Sequence, residues 1–214
     1  MRKLVKLNLS DKTIKQFIQE RKLRIEPFNE KYLNPASIDF SLDSEGFAMV
    51  EATGNRHWVD PKSGELFDII DPMDKNSHRT VPIAFQTDSD TGEEYTVMKP
   101  FEFRLAAVNE NITLPNGLTA QLAGKSSLAR LGLFIHVTAG FGDPGWNGVY
   151  VLELFYVGAR PIRLTKNMLI AQVIFTLTDE SEHTYDMLKK SKYQNQKAGQ
   201  GSLYHENKEL MDND

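Results

Sequence analysis

The densest concentration of reactive side chains lies between Gly124 and Val157. Gly124-Lys125-Ser126-Ser127 offers backbone N–H groups, two hydroxyls and an ammonium in consecutive residues, a set that can wrap an oxyanion. Taken alone, it reads more readily as a solvated turn. It is not a Walker A loop, because Thr119 stands where that pattern has its first glycine. Arg130 follows shortly after, as a phosphate partner or as half of a surface ion pair. Asp143-Pro144-Gly145-Trp146 is a β-turn signature, with Asp first and Pro second. Beyond it, Glu153 is the one charged residue in Val149 to Val157, a run of β-branched and ring side chains that predicts a largely buried strand. An ionised carboxylate is almost never buried unpaired, so Glu153 needs a partner, a ligand or a retained proton. Asp143 and Glu153 together could bracket a cleft at one end of that strand. His136, in an apolar setting, reads as a core histidine, and His57, His78, His183 and His205 have no metal-ligand spacing.

These residues need a frame. Ser10 before Asp11, with Ile14, Phe17 and Ile18 at helical spacing, predicts a short amphipathic helix over about 11–21. Residues 36 to 42 alternate as a strand does. From 51 to 90 prolines, glycines and short polar residues break every period, which predicts hairpins and long loops. Strands are expected at 95–98, 101–108, 118–122, 149–157, 161–164 and 169–177, with a turn over 111–116. Short strands at such spacing predict an all-β barrel or sandwich, over about 36–178. From Asp179 to Asp214 the chain turns polar. That tail is either a frayed terminus or a mobile segment that orders over a ligand.

The 214 residues, 40% of them hydrophobic, suit a single soluble globular domain. A net charge of −4 lacks the footprint of duplex nucleic-acid binding yet permits small anionic ligands. The absence of cysteine removes disulfides and thiolate metal sites, and fits a cytoplasmic location. The basic start is not followed by the apolar run of a signal peptide, and no window is apolar enough to span a membrane.

Gly124-Lys125-Ser126-Ser127-Leu128-Ala129-Arg130, Val137-Thr138-Ala139-Gly140-Phe141-Gly142-Asp143-Pro144-Gly145-Trp146, Val151-Leu152-Glu153-Leu154 and Ser191-Lys192-Tyr193-Gln194-Asn195-Gln196 resemble, in order, motifs of the dCTP deaminase family, relatives of trimeric dUTPases. Segments starting at Ile25, Leu33 and Pro100 are also similar to the family's first half, and 51–98 is the weakest part. The resemblance implies a mainly β, dUTPase-like distorted, jelly-roll-like barrel and a homotrimer with shared active sites. It implies that Glu153 is the general base that takes a proton from water for attack on C4 of cytosine. Ser126, Ser127 and Arg130 are implied in triphosphate binding or water positioning, and Thr138, Ala139 and Gln172 in nucleotide binding. Lys125 stands where the family usually has arginine, keeping the charge without the bidentate fork. Tyr185, Lys192 and Gln196 match tail residues that close over the nucleotide. Asp143 matches an aspartate beside the deoxyribose that orients the attacking water in dUTPase-like members. Mg²⁺ would arrive on the triphosphate. Zinc is not expected, since zinc nucleobase deaminases need cysteines.

Deaminase-only bacterial members resemble Thr-Ala-His-Arg at the central turn, whereas dUMP-forming members carry Thr-Ala-Gly and an aromatic, as Thr138-Ala139-Gly140-Phe141 does. Gly142 departs from the usual branched apolar residue and is expected to loosen the turn that places Asp143. The residues favour a bifunctional enzyme making dUMP from dCTP. A deaminase stopping at dUTP, a dUTPase and a non-catalytic nucleotide-binding trimer remain alternatives, with dUTP and dTTP as further ligands.

Overall fold

Ser10 caps the first helix, Asp11–Gln19: its hydroxyl accepts from the Thr13 amide, and Ile14 on the inner face is fully buried. The helix stops short of the expected Arg21, whose left-handed backbone (φ 56°) ends it. The computed structural model describes residues 8–207, so the last part of the expected tail, 208–214, lies outside the described residues.

One antiparallel sheet of 10 strands dominates. Its path runs Leu133–Phe134, Asn147–Tyr156, Phe103–Thr113, Ser37–Ala52, Leu169–Leu177, Leu118–Gly124 and Phe141–Gly142. The first and last of these, at opposite edges, are joined only by residues 135–140. So short a link can connect the two edges only if the sheet curls round on itself, which makes the barrel-like architecture. Phe40, Phe47, Phe175, Leu152 and Leu154 fill the interior.

The strand beginning at Ser37 continues to Ala52, well past the expected 42. It is irregular between Asp43 and Ala48, where a Cβ on Gly46 would stand 2.5 Å from that of Ala107. The glycine that reads as a break is thus a close approach between neighbouring strands. Phe103–Thr113 takes in Asn111, expected in a turn, because Arg24–Glu26 pairs with residues 111–113 and gives them ladder partners from far along the chain. Between 51 and 98 the expected hairpins are present. His57–Val59 pairs with Leu66–Asp68, and His78–Pro82 pairs with the outer half of Ser37–Ala52. The strand Asn147–Tyr156 differs from the sequence reading in one respect that matters. Gly148, Tyr150, Leu152, Leu154 and Tyr156 point inward, while Val149, Val151, Glu153 and Phe155 stand half-exposed on the other face. Glu153 is therefore not in the core.

Of the buried carboxylates, Asp39 pairs with Lys125, whereas Glu110 accepts from the amide and the hydroxyl of Ser41 at 2.9 and 2.8 Å. Burial pushes its pKa above the ordinary 4.5, outweighing those hydrogen bonds. The folded chain therefore holds this proton more tightly than the unfolded chain. Wild-type stability should rise, relative to Glu110→Gln, as pH falls through the raised value toward 4.5, and the difference should level off below it. Urea melts of both proteins from pH 7 to pH 4 measure this, and parallel curves would contradict it.

Candidate active site

The link 135–140 that closes the sheet passes directly over Glu153. The Glu153 amide donates to the Ile135 carbonyl at 3.1 Å, and the Leu122 amide donates to that of Gly140 at 2.7 Å, so the link is tied to both edges. Between these ties the amides of Val137 and Thr138 donate to Glu153 Oε2 at 3.0 and 3.4 Å. The partner that Glu153 needs is backbone rather than a cation. Oε1 has no hydrogen-bond partner among the described residues. Leu105 lies opposite Glu153 in the ladder, with Val151 and Phe155 along its own strand, so the free oxygen emerges among apolar side chains.

Asp143 opens the expected turn. The Trp146 amide donates to the Asp143 carbonyl at 3.1 Å, Pro144 takes the second position, and Gly145 has φ +84°, as a type II turn requires at its third. This places Asp143 and Glu153 on the wall of one cavity of about 580 Å³, within the size range of small-molecule sites. Ala139, Tyr185 and Gln196 line it as well, along with Trp146, Tyr150, Phe103, Tyr193 and His78. Tyr193 sits inside a motif already conspicuous in the sequence. His78 carried no signal, because the strand that delivers it comes from the weakly patterned region before residue 98.

The polar tail is laid along the start of Asn147–Tyr156. Trp146 Nε1 donates to the Tyr193 carbonyl at 2.9 Å, the Val149 amide to that of Gln196 at 3.1 Å, and Gln196 Nε2 back to the Val149 carbonyl at 3.0 Å. A Cβ at Gly148 would stand 2.9 Å from the Gln196 nitrogen, so glycine is what lets the two backbones meet. The segment forms part of the cavity wall through Tyr185, Tyr193 and Gln196. Tyr185 accepts from the Tyr193 amide at 3.2 Å, and burial pushes its hydroxyl pKa up.

The remaining expected residues stand elsewhere. Lys125 precedes the short helix Ser126–Ala129, and its ammonium pairs with Asp39 at 2.5 Å. Gln172 braces the same turn, donating to the Gly124 carbonyl at 3.1 Å and accepting from Ser37 at 3.2 Å. Ser126, Ser127 and Arg130 are exposed, and their side chains have no partner among the described residues. None of these lines the cavity, and neither does Thr138, whose contribution is its amide. Lys192 donates to Asn207 and also stays outside. His136, expected in the core, is half-buried. No cluster of metal-ligating side chains occurs among the described residues.

A curled, mainly antiparallel barrel carrying a carboxylate at the seam and a tail across the cavity defines a class of small-molecule enzyme. The dCTP deaminase-like family model matches residues 8–178. The chain belongs to the dCTP deaminase-like family. It is 37% identical over 191 residues to a protein of Methanobrevibacter smithii named dCTP deaminase, dUMP-forming, covering 88% of this chain and 90% of that one. Proteins of the same name from Mycobacterium avium (39% over 203 residues, 93% and 96%) and Streptomyces coelicolor (37% over 194, 89% and 91%) are similar. The fold is that of the crystal structure of 2′-deoxycytidine 5′-triphosphate deaminase from Agrobacterium tumefaciens, with TM-score 0.53 and 17% identity. That alignment takes in 81% of this chain and 49% of the other, so this chain spans about half its length.

Removing the indole N–H in Trp146→Phe takes away one anchor of the tail. A hydrogen bond is worth about 1 kcal/mol net, so tail opening should rise about fivefold. Limited proteolysis after Lys189 and Lys190 reads this directly, and an unchanged cleavage rate would mean that the anchor is unimportant.

Proposed function

We propose that this chain converts dCTP to dUMP in two hydrolytic steps in one site. Water first replaces the 4-amino group, releasing ammonia and giving dUTP. A second water then cleaves dUTP to dUMP and diphosphate. The observation that carries this reading is Glu153, with Oε2 held by two amides, Oε1 without a partner among the described residues, and the residue on the wall of the cavity that Asp143 also lines. In the first step Glu153 takes a proton from the attacking water and passes protons to the ring nitrogen and the departing ammonia. The amide clamp keeps the carboxylate oriented while its other oxygen exchanges protons. In the second step Asp143 orients the water that attacks the α-phosphorus. The names of the relatives, dCTP deaminase, dUMP-forming, support this order of events. Magnesium travels with the triphosphate as part of the substrate.

The site is completed by a neighbouring copy in a homotrimer. Ser126, Ser127 and Arg130 are the cationic and hydroxyl donors a triphosphate needs, and they stand exposed and away from the cavity of their own chain. Phe101, Leu131, Phe134 and Val157 are exposed around the end of Asn147–Tyr156, an apolar surface suited to burial between subunits. Lys125 reaches phosphate only by leaving Asp39 or by sharing it. A cytoplasmic setting, where dCTP is made and consumed, suits this activity. dUTP enters the same site in the second step, and dTTP shares its triphosphate and deoxyribose.

Incubating the purified chain with dCTP and Mg²⁺ should release ammonia, dUMP and diphosphate. Ammonia with dUTP alone would limit the chain to deamination, and binding without ammonia would make it a regulatory trimer. Glu153→Gln should lower ammonia release by about a hundredfold or more while nucleotide binding persists, as expected for loss of a general base. Asp143→Asn should slow diphosphate release more than ammonia release, and equal losses would point to a structural turn. Refolding Glu153→Gln together with Arg130→Ala should restore activity to about a quarter of wild type if two subunits share each site. Activity no higher than that of the separate variants would mean that each site is built within one chain.

A further inference from the structure

Tyr150 is at odds with the strand that carries it. Its side chain points inward between Gly148 and Leu152, yet the phenol oxygen is buried with no hydrogen-bond partner among the described residues. The residue is 6% exposed and lies on the cavity wall. Tyr150 sits at a register shift between Val149 and Val151, so the strand bulges where this ring is placed. The ring packs against Trp146 with centroids 4.8 Å apart. Its hydroxyl end presses on Gly142, where an added Cβ would be 2.5 Å from the phenol oxygen. Leu114 Cδ1 and Ala120 Cβ, at 3.2 and 3.4 Å from that same point, close the remaining space. Gly142 is therefore a vacancy filled by the phenol, not a loose joint. Burial and the nearby Asp143 charge both push the tyrosine pKa up, so the ring stays neutral beside the carboxylate.

We propose that Tyr150 is a positioning residue for Asp143: with Gly142 it forms a size-complementary pair that sets how far the 141–143 segment stands into the cavity. This inference rests on the two-step reading and says which contact serves the second step. Asp143 follows Gly142 directly and is held on its other side by the turn to Trp146, the ring on which Tyr150 rests. A bulkier residue at 142 would push the segment outward, and a smaller one at 150 would let it sink. Glu153 is held separately by the amides of Val137 and Thr138, so displacement of Asp143 should leave the deaminating carboxylate in place.

The test is a cycle of four full-length proteins: wild type, Gly142→Ile, Tyr150→Ala and the double variant, whose side chains together occupy about the volume of the original pair. With dCTP and Mg²⁺, each single variant should release more dUTP for every dUMP formed, by about tenfold, the scale expected when an orienting group is displaced. The double variant should return most of the way to the wild-type ratio. Tyr150→Phe, which keeps the ring and removes the hydroxyl, should show a smaller shift of the same sign. Equal loss of ammonia and diphosphate in the single variants, or a double variant no better than the worse single, would overturn the proposal. If the wild type released no ammonia from dCTP, the two-step reading would fail instead. The coupling would then be read in unfolding midpoints of the same four proteins, and additive midpoints would overturn the pair itself.

Discussion

The structure depends on closing one curled sheet with a link only six residues long, 135–140, and on the hydrogen bonds that make that closure specific. Backbone ties at Ile135 and Gly140 fix the ends of the link, and the Glu153 carboxylate takes up the amides between them. The amides of Val137 and Thr138, on an exposed stretch of the link, find in it a fixed acceptor in place of water. One carboxylate oxygen satisfies them and the other has no hydrogen-bond partner among the described residues. The seam of the barrel and the group proposed to move protons are thus the same construction.

Around that seam, rigidity is distributed by elements with different origins. The type II turn at Asp143 is local, set by Pro144 and Gly145. The wall behind it is not: the Trp146 and Tyr150 rings meet across the first residues of a long strand, and Gly142 leaves room for the phenol. The tail adds a third layer, running beside residues 145–149 with its own backbone bonds. Each layer holds one side of the cavity. A group displaced in one of them need not move the others, which is how two hydrolyses could be controlled separately in a single hollow.

The placement of Ser126, Ser127 and Arg130 follows a different logic. Asp39, Ser37 and Gln172 brace the turn before them, yet the side chains that would meet phosphate face outward. Among the described residues these donors have no partner, and the proposed homotrimer is what would bring them to a nucleotide. Apolar residues are also exposed near the end of the Glu153 strand.

Much of this was legible in the residues themselves. The mainly β pattern, the capped first helix, the Asp143 turn and the singular position of Glu153 come from periodicity and local preference, which depend only on near neighbours in the chain. Family membership was legible as well, because ordered motifs with their spacings survive in linear form. Tertiary structure decided what linear order does not contain. It put Glu153 on the outer face of its strand and gave it amide partners sixteen and fifteen residues away. It extended Ser37–Ala52 and Phe103–Thr113 through glycine and asparagine by supplying distant ladder partners. It also turned Gly142 from an expected weakness into a fitted contact with Tyr150. The physical reason is common to all of these: desolvation, pairing and packing are settled by whichever groups the fold brings within a few ångströms, and sequence distance says little about that.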